Sequence, residues 1–446
     1  MRLIRRFLYA ILSVAIGNAL VVINNFEVRG ILYLLAGTFF FLIFCLININ
    51  PISDKKLSFQ TKVLIGGYEL YIYALLGYIS LISYTVYSAI NYCDDWTNYV
   101  SLGISALIGG FIYFVIIMNG IIRILITSTQ LKLLWKILLF FFWYLPILNF
   151  ILIFVIYAVV RLEIMREKSR KELNDSRKEN EVCKTKYPVI LVHGVFFRDW
   201  QIFNYWGRIP GELIKNGAEI YYGNQQSAAK VEKSGNEIKE IIFEILNKSG
   251  AEKVNIIAHS KGGLDTRYAV SCLGMDRYVA SLTTINTPHR GCKWVDKILK
   301  KVPEWLLKFV TKRYNSLFKR LGDKNPDFLN ALMDLTSENC NNLNRIMEDK
   351  DGVVYQSFMS VMSKESSDGF PLNISYKLAE KSDGENDGLV GVESAKWGEF
   401  RSLISTKNKR GVSHGDVIDL KREDIKGFDV RELYVGILKE LKEKGL

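Results

Sequence analysis

The chain has 446 residues and a formal net charge of +12, enough length for two or three domains with cores of their own. No nucleic-acid motif accompanies the charge, and basic stretches beside apolar runs point to anionic lipid rather than to nucleic acid. The six cysteines are scattered, with no C-x-x-C pair and no histidine at metal-ligand spacing, so the sequence carries neither a disulfide framework nor a zinc site.

Residues 1–160 read as an all-α transmembrane domain. Five apolar stretches reach the length of about 20 residues that a bilayer core requires, near Phe7–Ile23, Ile31–Ile47, Val63–Ile90, Leu102–Ile122 and Ile137–Val160. The first follows a basic Met-Arg-Leu-Ile-Arg-Arg and reads as an uncleaved anchor, because four more stretches follow it. The distribution of Lys and Arg favours a cytoplasmic start (Arg2, Arg5, Arg6), with the 48–62 and 123–136 loops also inside and Asp94 and Asp95 outside. Five full crossings would then leave the rest of the chain outside. Yet Arg161, Arg166, Lys168, Arg170 and Lys171 follow the fifth stretch and favour the inside. Pro146 and Asn149 interrupt that stretch, so it reads either as a span or as a re-entrant hairpin, and the sequence leaves the side open.

Residues 161–186 form a charged, mostly helical linker without an apolar stripe. From Tyr187 to the end, short apolar strands alternate with amphipathic helices. Strands are expected at Val189–Val192, Glu219–Tyr222, Val254–Ala258 and Val279–Ile285, and helices at Val231–Ser249 and Gly262–Cys272. Such alternation implies a mainly parallel sheet covered on both faces.

The strongest chemical signal is Lys253-Val-Asn-Ile-Ile-Ala-His-Ser-Lys-Gly-Gly263. A buried strand runs through Ala258-His259-Ser260-Lys261-Gly262 straight into a helix, the setting of a nucleophile elbow, with Ala258 in place of the first Gly of G-x-S-x-G. Ser260 is the expected nucleophile. The oxyanion donors are the backbone N–H groups of Lys261 and of Val195, which follows the early strand ending in His193-Gly194. With four histidines in the chain, the base is found by elimination. His259 shares the turn with Ser260, His289 follows a strand as a turn residue, and His193 shapes its own loop. His414, in Gly411-Val-Ser-His-Gly-Asp416, is left. The acid should lie between Ser260 and His414, and Asp387 is better placed than Asp383.

Taken with Pro188-Val-Ile-Leu-Val-His-Gly194, Tyr205-Trp-Gly-Arg-Ile-Pro210, Gly217-Ala-Glu-Ile-Tyr221, Thr287-Pro-His-Arg-Gly291 and Asn386-Asp-Gly-Leu-Val390, these motifs make residues 187–446 resemble the bacterial true-lipase (triacylglycerol lipase) family of α/β hydrolases. The resemblance implies the α/β-hydrolase fold with a helical lid, a Ser260–Asp387–His414 triad, and oxyanion donors at Val195 and Lys261. It implies no organic cofactor. In that family an Asp two residues beyond the catalytic His helps to hold a structural calcium, and Asp416 stands there. Members are usually secreted after signal cleavage, and the multi-span N-terminus departs from that pattern.

The lid is expected at about 291–334. Trp294, Val295, Ile298, Leu299, Val302, Trp305, Leu306, Phe309 and Val310 recur at helical spacing, and residues 293–324 hold ten Lys/Arg against three Asp/Glu. That pattern suits either an interfacial element on anionic bilayers or a cap packed on the core. The expected whole is a multi-pass cell-membrane protein that hydrolyses carboxylic esters of lipids. A phospholipase or acyltransferase would use the same triad. A non-catalytic membrane scaffold is the reading from another class.

Overall fold

A computed structural model of the chain describes residues 2–25, 30–51, 57–142, 146–195, 204–407 and 410–446. They form two compact units, Met1–Leu173 and Asn174–Leu446.

The first unit is helical: α1 (Arg2–Asn25), α2 (Ile31–Ile49), α3 (Phe59–Asn91), α4 (Trp96–Thr127), α5 (Leu133–Phe142) and most of α6 (Pro146–Arg177). Among the described residues, four helical segments are long and apolar enough to cross a membrane: Ile4–Val21, Ile31–Ile49, Phe59–Asn91 and Trp96–Thr127. Side-chain caps set the starts of the two long helices, Ser58 accepting from the Thr61 N–H of α3 and Asp95 from the Asn98 N–H of α4. Between these helices Gly67 and Gly120 face each other so closely that a Cβ on either would come within 3 Å of the other's carbonyl oxygen. Small residues of this kind let apolar helices pack by van der Waals contact where no hydrophobic drive separates them from lipid.

The fifth apolar stretch is divided between α5 and α6, with residues 143–145 outside those described. Proline suits the first turn of α6, where its missing N–H costs no hydrogen bond. The starts of α1 and α3, the ends of α2 and α4, and Glu163 of α6 meet at one end of the bundle. Arg6 pairs with Glu69, the Tyr9 hydroxyl donates to the Asn50 carbonyl (3.4 Å), and Gln60 Nε2 donates to the Thr127 carbonyl (2.9 Å). Glu163 accepts from Ser128 Oγ (2.5 Å) and from the Thr129 N–H (2.9 Å). The chain therefore returns through α5 and α6 to the end at which α4 finishes.

The second unit starts at Asn174, ahead of the expected Tyr187. Arg177 makes a two-pronged pair with Glu432 (2.8 and 2.9 Å), and Cys183 is fully buried in the core. Much of the expected linker thus belongs to the folded unit. Its sheet is six-stranded and wholly parallel, in the order β2-β1-β3-β4-β5-β6. The strands are β1 (Val189–Val192), β2 (Ile220–Tyr222), β3 (Val254–His259), β4 (Val279–Ile285), β5 (Val354–Ser360) and β6 (Glu399–Ile404). The helices continue as α7 (Ile209–Lys215), α8 (Val231–Ser249), α9 (Lys261–Cys272), α10 (Lys293–Lys301), α11 (Glu304–Arg320), α12 (Phe328–Met333), α13 (Ser337–Ile346), α14 (Leu372–Asp383), α15 (Val392–Ala395) and α16 (Val430–Glu443).

Alternate residues of each central strand feed opposite layers. Val189 and Leu191 of β1 join Ile257, Trp206, Leu213, Tyr434 and Leu438, under α7 and α16. Ile190 and Val192 join Ile256, Ile238, Ile242, Ala269 and Val270, under α8 and α9. With both faces covered, β1, β3 and β4 are buried along their whole length, which is why they read as continuous apolar runs.

The expected lid stripe is split in two. Pro303 ends one helix and caps the next, so α10 and α11 are separate. On α10, Val295 is buried with Met359 and Val390, and Trp294 Nε1 donates to the Leu389 carbonyl (2.6 Å). On α11, Trp305 and Phe309 are 70% and 54% exposed, whereas Phe318 at its far end is buried beside Phe328. The packed cap and the exposed amphipathic surface are thus both present, on consecutive helices.

Candidate active site

The carboxyl ends of the strands carry the site, as is general for open parallel sheets. At the end of β3, Ser260 has φ 55° and ψ −133°, a conformation that is costly for any residue with a Cβ. Its surroundings hold it there. A Cβ on Gly194 would lie 2.8 Å from Ser260 Cβ, and one on Gly262 would lie 2.3 Å from the His193 carbonyl oxygen. Those two glycines are required by close approach. Ala258, by contrast, points into the layer under α8 and α9, where a methyl group is accommodated.

Lys261 opens α9, so its N–H has no acceptor within the helix. Neither it nor the Val195 N–H makes a backbone hydrogen bond among the described residues. The Lys261 side chain is buried and pairs with Asp265 (2.5 Å) one turn on, fixing the first turn of the helix. Burial pushes the Asp265 carboxyl up to about 7 against the pull of that lysine.

Asp387 is fully buried in the turn after α14. Its Oδ1 accepts the N–H groups of Leu389 (2.9 Å) and Val390 (2.8 Å), and its Oδ2 lies 2.6 Å from His414 Nδ1. The His414 N–H also donates to the Asp387 carbonyl (2.8 Å). This pairing fixes Nδ1 as the donor and leaves Nε2 to act as a base. The His414 ring packs on that of His259, with centroids 4.4 Å apart, which brings it beside the elbow. Asp383 does something else. Its carboxylate accepts the Lys293 and Trp294 N–H groups (3.0 and 3.1 Å), closing the start of α10.

The other histidines hold the frame. His193 Nδ1 is 2.8 Å from the Gly194 carbonyl, and its own carbonyl accepts from Gln225. His259 Nδ1 is 2.6 Å from the Tyr205 hydroxyl, which in turn accepts the Gly194 N–H (3.1 Å). Tyr205 thereby ties the His193–Gly194 loop to the turn at Ser260. Sequence reasoning gave Tyr205 no role; its only signal was a place in a matching motif. His289 sits between Thr284 Oγ1 (3.0 Å) and Arg267 (3.3 Å), against the Trp397 ring. Burial holds His259 and His289 well below the ordinary histidine range, with the nearby charges of His414 and of Arg267 and Arg290 adding to it respectively.

Asp416 does not fit calcium. Arg410 lies against its carboxylate, Nη2 donating to Oδ1 (3.0 Å) and Nη1 3.0 Å from Oδ2, and the Ser413 N–H donates to Oδ2 (2.9 Å). The neighbouring Asp368 accepts from Ser413 Oγ (2.5 Å) and pairs with Lys421. The cations that brace the His414 loop are side chains of the chain itself. Among the described residues, no group of three or more His, Cys, Asp or Glu converges as a metal site.

The alpha/beta hydrolase fold family matches residues 187–381. The chain is 36% identical over 173 residues to the triacylglycerol lipase of Pseudarthrobacter phenanthrenivorans, covering 36% of this chain and 54% of that one. Against the triacylglycerol lipase of Burkholderia plantarii the identity is also 36% over 173 residues, with coverage of 36% and 48%. Against that of Pseudomonas fragi it is 26% over 294 residues, covering 59% of this chain and 98% of the relative. The chain spans about half the length of the first two of these relatives.

The buried histidines predict a pH effect. A group held neutral in the fold binds fewer protons than the same group in the unfolded chain, so its contribution to stability is complete above about pH 6.5 and declines below it. For His289→Gln, stability should fall less than in the parent between pH 7.5 and 5.5. The difference should grow by up to about 1.4 kcal/mol per pH unit below 6.5. Urea unfolding followed by tryptophan fluorescence measures this, and parallel pH profiles would contradict it.

Proposed function

We propose that the chain, whose residues 187–381 match the alpha/beta hydrolase fold family and which is similar to bacterial triacylglycerol lipases, hydrolyses carboxylic esters of lipids with Ser260 as nucleophile, His414 as base and Asp387 as orienting acid. The observation that carries this reading is the buried Asp387–His414 hydrogen bond of 2.6 Å beside the strained Ser260 turn. Ser260 Oγ attacks the ester carbonyl carbon while His414 Nε2 takes its proton. The oxyanion that forms lies against the N–H groups of Lys261 and Val195. The carbon–oxygen bond to the alcohol breaks, the alcohol leaves with the proton from His414, and Ser260 keeps the acyl group. Water then repeats the sequence, with His414 again as base, and releases the acid. Asp387 favours the imidazolium at each step without taking the proton.

Lipid as the substrate class is supported by the curated relatives and by α11. That helix presents Trp305 and Phe309 among Lys308, Lys312 and Arg313, the composition of an element that settles at a bilayer surface.

Ser260→Ala should lower ester hydrolysis on the order of 10⁴-fold or more with expression unchanged; substantial residual turnover would rule Ser260 out. Asp387→Asn should cost about 10⁴-fold in kcat by setting the wrong His414 tautomer. Asp383→Asn, which keeps an acceptor at the start of α10, should leave kcat within about two-fold, as expected for a cap that Asn can replace. A reversed pattern would assign the acid to Asp383.

As to location, the reading is a multi-pass membrane protein in which α1 to α4 cross and α5 with α6 re-enters. This places the start of α1 and the end of α6 on one side. It reconciles the basic residues at 2–6 and 161–171, both of which favour the cytoplasm. An impermeant maleimide applied to intact cells should label an Asp94→Cys reporter and spare the exposed Cys272, and permeabilisation should expose Cys272. Labelling of Cys272 in intact cells would put the hydrolase unit outside.

A further inference from the structure

The second unit holds a cavity of about 710 Å³ that the hydrolytic reading does not use. Its wall comes from the start of α8, the far end of α11 and the turn between α11 and α12. Four exposed lysines meet there: Lys230, Lys233, Lys319 and Lys324. Against them the described wall sets one carboxylate, that of Asp327.

Those positive charges are not balanced in place. Among the described residues, none of the four lysines makes an ion pair. Exposed lysines elsewhere on this unit do, as Lys308 does with Glu304 (2.7 Å), Lys396 with Glu393 (2.5 Å) and Lys444 with Glu440 (2.9 Å). Lys233 Nζ donates to the Asn325 carbonyl (3.4 Å), a neutral acceptor. Asp327 is committed to its own helix, accepting the Asn330 N–H (3.3 Å) and Asn330 Nδ2 (2.6 Å). Asp334 attracts Lys230 from outside the cavity, and its carboxylate already accepts the Val231 N–H (2.7 Å).

The backbone under the lysines is held from within. The buried Asp323 carboxylate accepts the N–H groups of Ser227 (3.2 Å) and Ala228 (3.0 Å). Gln226 Oε1 accepts the Asn325 N–H (2.8 Å), and the Ala228 carbonyl accepts the Asp327 N–H (2.6 Å). Asn315 Oδ1 accepts the Phe328 N–H (2.8 Å), which leaves its amide nitrogen to donate at the wall, next to the Ser316 hydroxyl. A ligand would therefore order lysine side chains but no backbone, which keeps the entropic cost of binding low.

We infer that this cavity binds a multiply charged phosphate group, a phosphomonoester or a pyrophosphate, between Lys230 and Lys233 on one side and Lys319 and Lys324 on the other. Three features select that chemistry. Four ammonium groups against one engaged carboxylate call for an anion of more than one charge. Ammonium groups, an amide nitrogen and a hydroxyl form a wall of donors, and phosphate oxygens are acceptors. The volume admits a phosphate together with the organic part of an ester. The group can come from a lipid headgroup or from a soluble ester, since both present the same oxygens. The inference is independent of the Ser260 reading.

The test uses the full chain carrying Ser260→Ala, so that no ester is consumed, in a mild detergent at low salt. Calorimetric titration with inorganic pyrophosphate should show one ion bound per chain, with sulfate binding about ten-fold more weakly or worse. Lys319→Gln with Lys324→Gln should weaken pyrophosphate on the order of ten-fold or more, because each lost ammonium removes a charge-assisted hydrogen bond. The charge-keeping pair Lys319→Arg with Lys324→Arg should retain most of the affinity, which separates loss of the anion site from loss of the fold. Lys297→Gln with Lys301→Gln, on α10 and outside the cavity, should change nothing. Competition then separates the sources: dihexanoyl phosphatidic acid displacing pyrophosphate at lower concentration than glycerol phosphate assigns a lipid headgroup, and equal displacement assigns a soluble ester. Absence of pyrophosphate binding, equal binding of sulfate, or unchanged binding in the Lys319 and Lys324 Gln pair would overturn the site.

Discussion

Everything at the site depends on the backbone of Ser260 being held at a positive φ. The turn is tolerated because the chain around it has no room for alternatives and nothing in the way. Gly194 lies over the serine Cβ, and Gly262 lies under the His193 carbonyl. The Tyr205 hydroxyl bridges the Gly194 N–H to His259. The strain is local, and the restraint comes from β1 and β3, two fully buried neighbours whose registers are fixed by the apolar layers on either side. Strain of order 1–3 kcal/mol persists only where the surroundings over-determine it, and here two strands and a tyrosine do so.

His414 is held by a different kind of restraint. The His414 loop is braced on both flanks by ion pairs. Arg410 lies against Asp416, and the Arg208 side chain, from the segment before α7, donates twice to Asp419 (2.8 Å each) and once to Asp424 (2.8 Å). Tyr434 of α16 donates to the Val417 carbonyl (3.0 Å). Ser260 thus sits on rigid backbone packing, whereas His414 sits on a loop stiffened by charge. Asp387 adds to that restraint, because its carbonyl receives the His414 N–H while its carboxylate receives the ring.

Much of this was legible in the residues. Val189–Val192, Val231–Ser249 and Val279–Ile285 form as their apolar periods imply, since a run buried on both faces or on one helical stripe has few other ways to satisfy itself. Asp387 and His414 meet as the order of Ser, acid and His implies. What was not legible shares a cause: it depends on contacts distant in sequence. Nothing near Tyr205 says that its hydroxyl will reach His259. Nothing near Arg177 announces Glu432, so the second unit begins earlier than composition implies. The lid stripe continued in phase across Val302–Pro303, and periodicity alone carried it over the proline that divides α10 from α11. Asp416 matched a calcium ligand by position, while the residue that decides the matter, Arg410, lies six places before it and was invisible to a motif centred on the histidine.

That arginine has a consequence for where such a fold can operate. A loop pinned by a bound divalent ion keeps its shape only where the ion is plentiful, as it is outside cells, and slackens where pumps keep the ion scarce. A loop pinned by a covalently attached guanidinium keeps its cation at any calcium concentration, because that cation cannot diffuse away or be chelated. Arg410 therefore makes the shape of the His414 loop independent of the calcium level around it, because the chain carries the bracing cation itself.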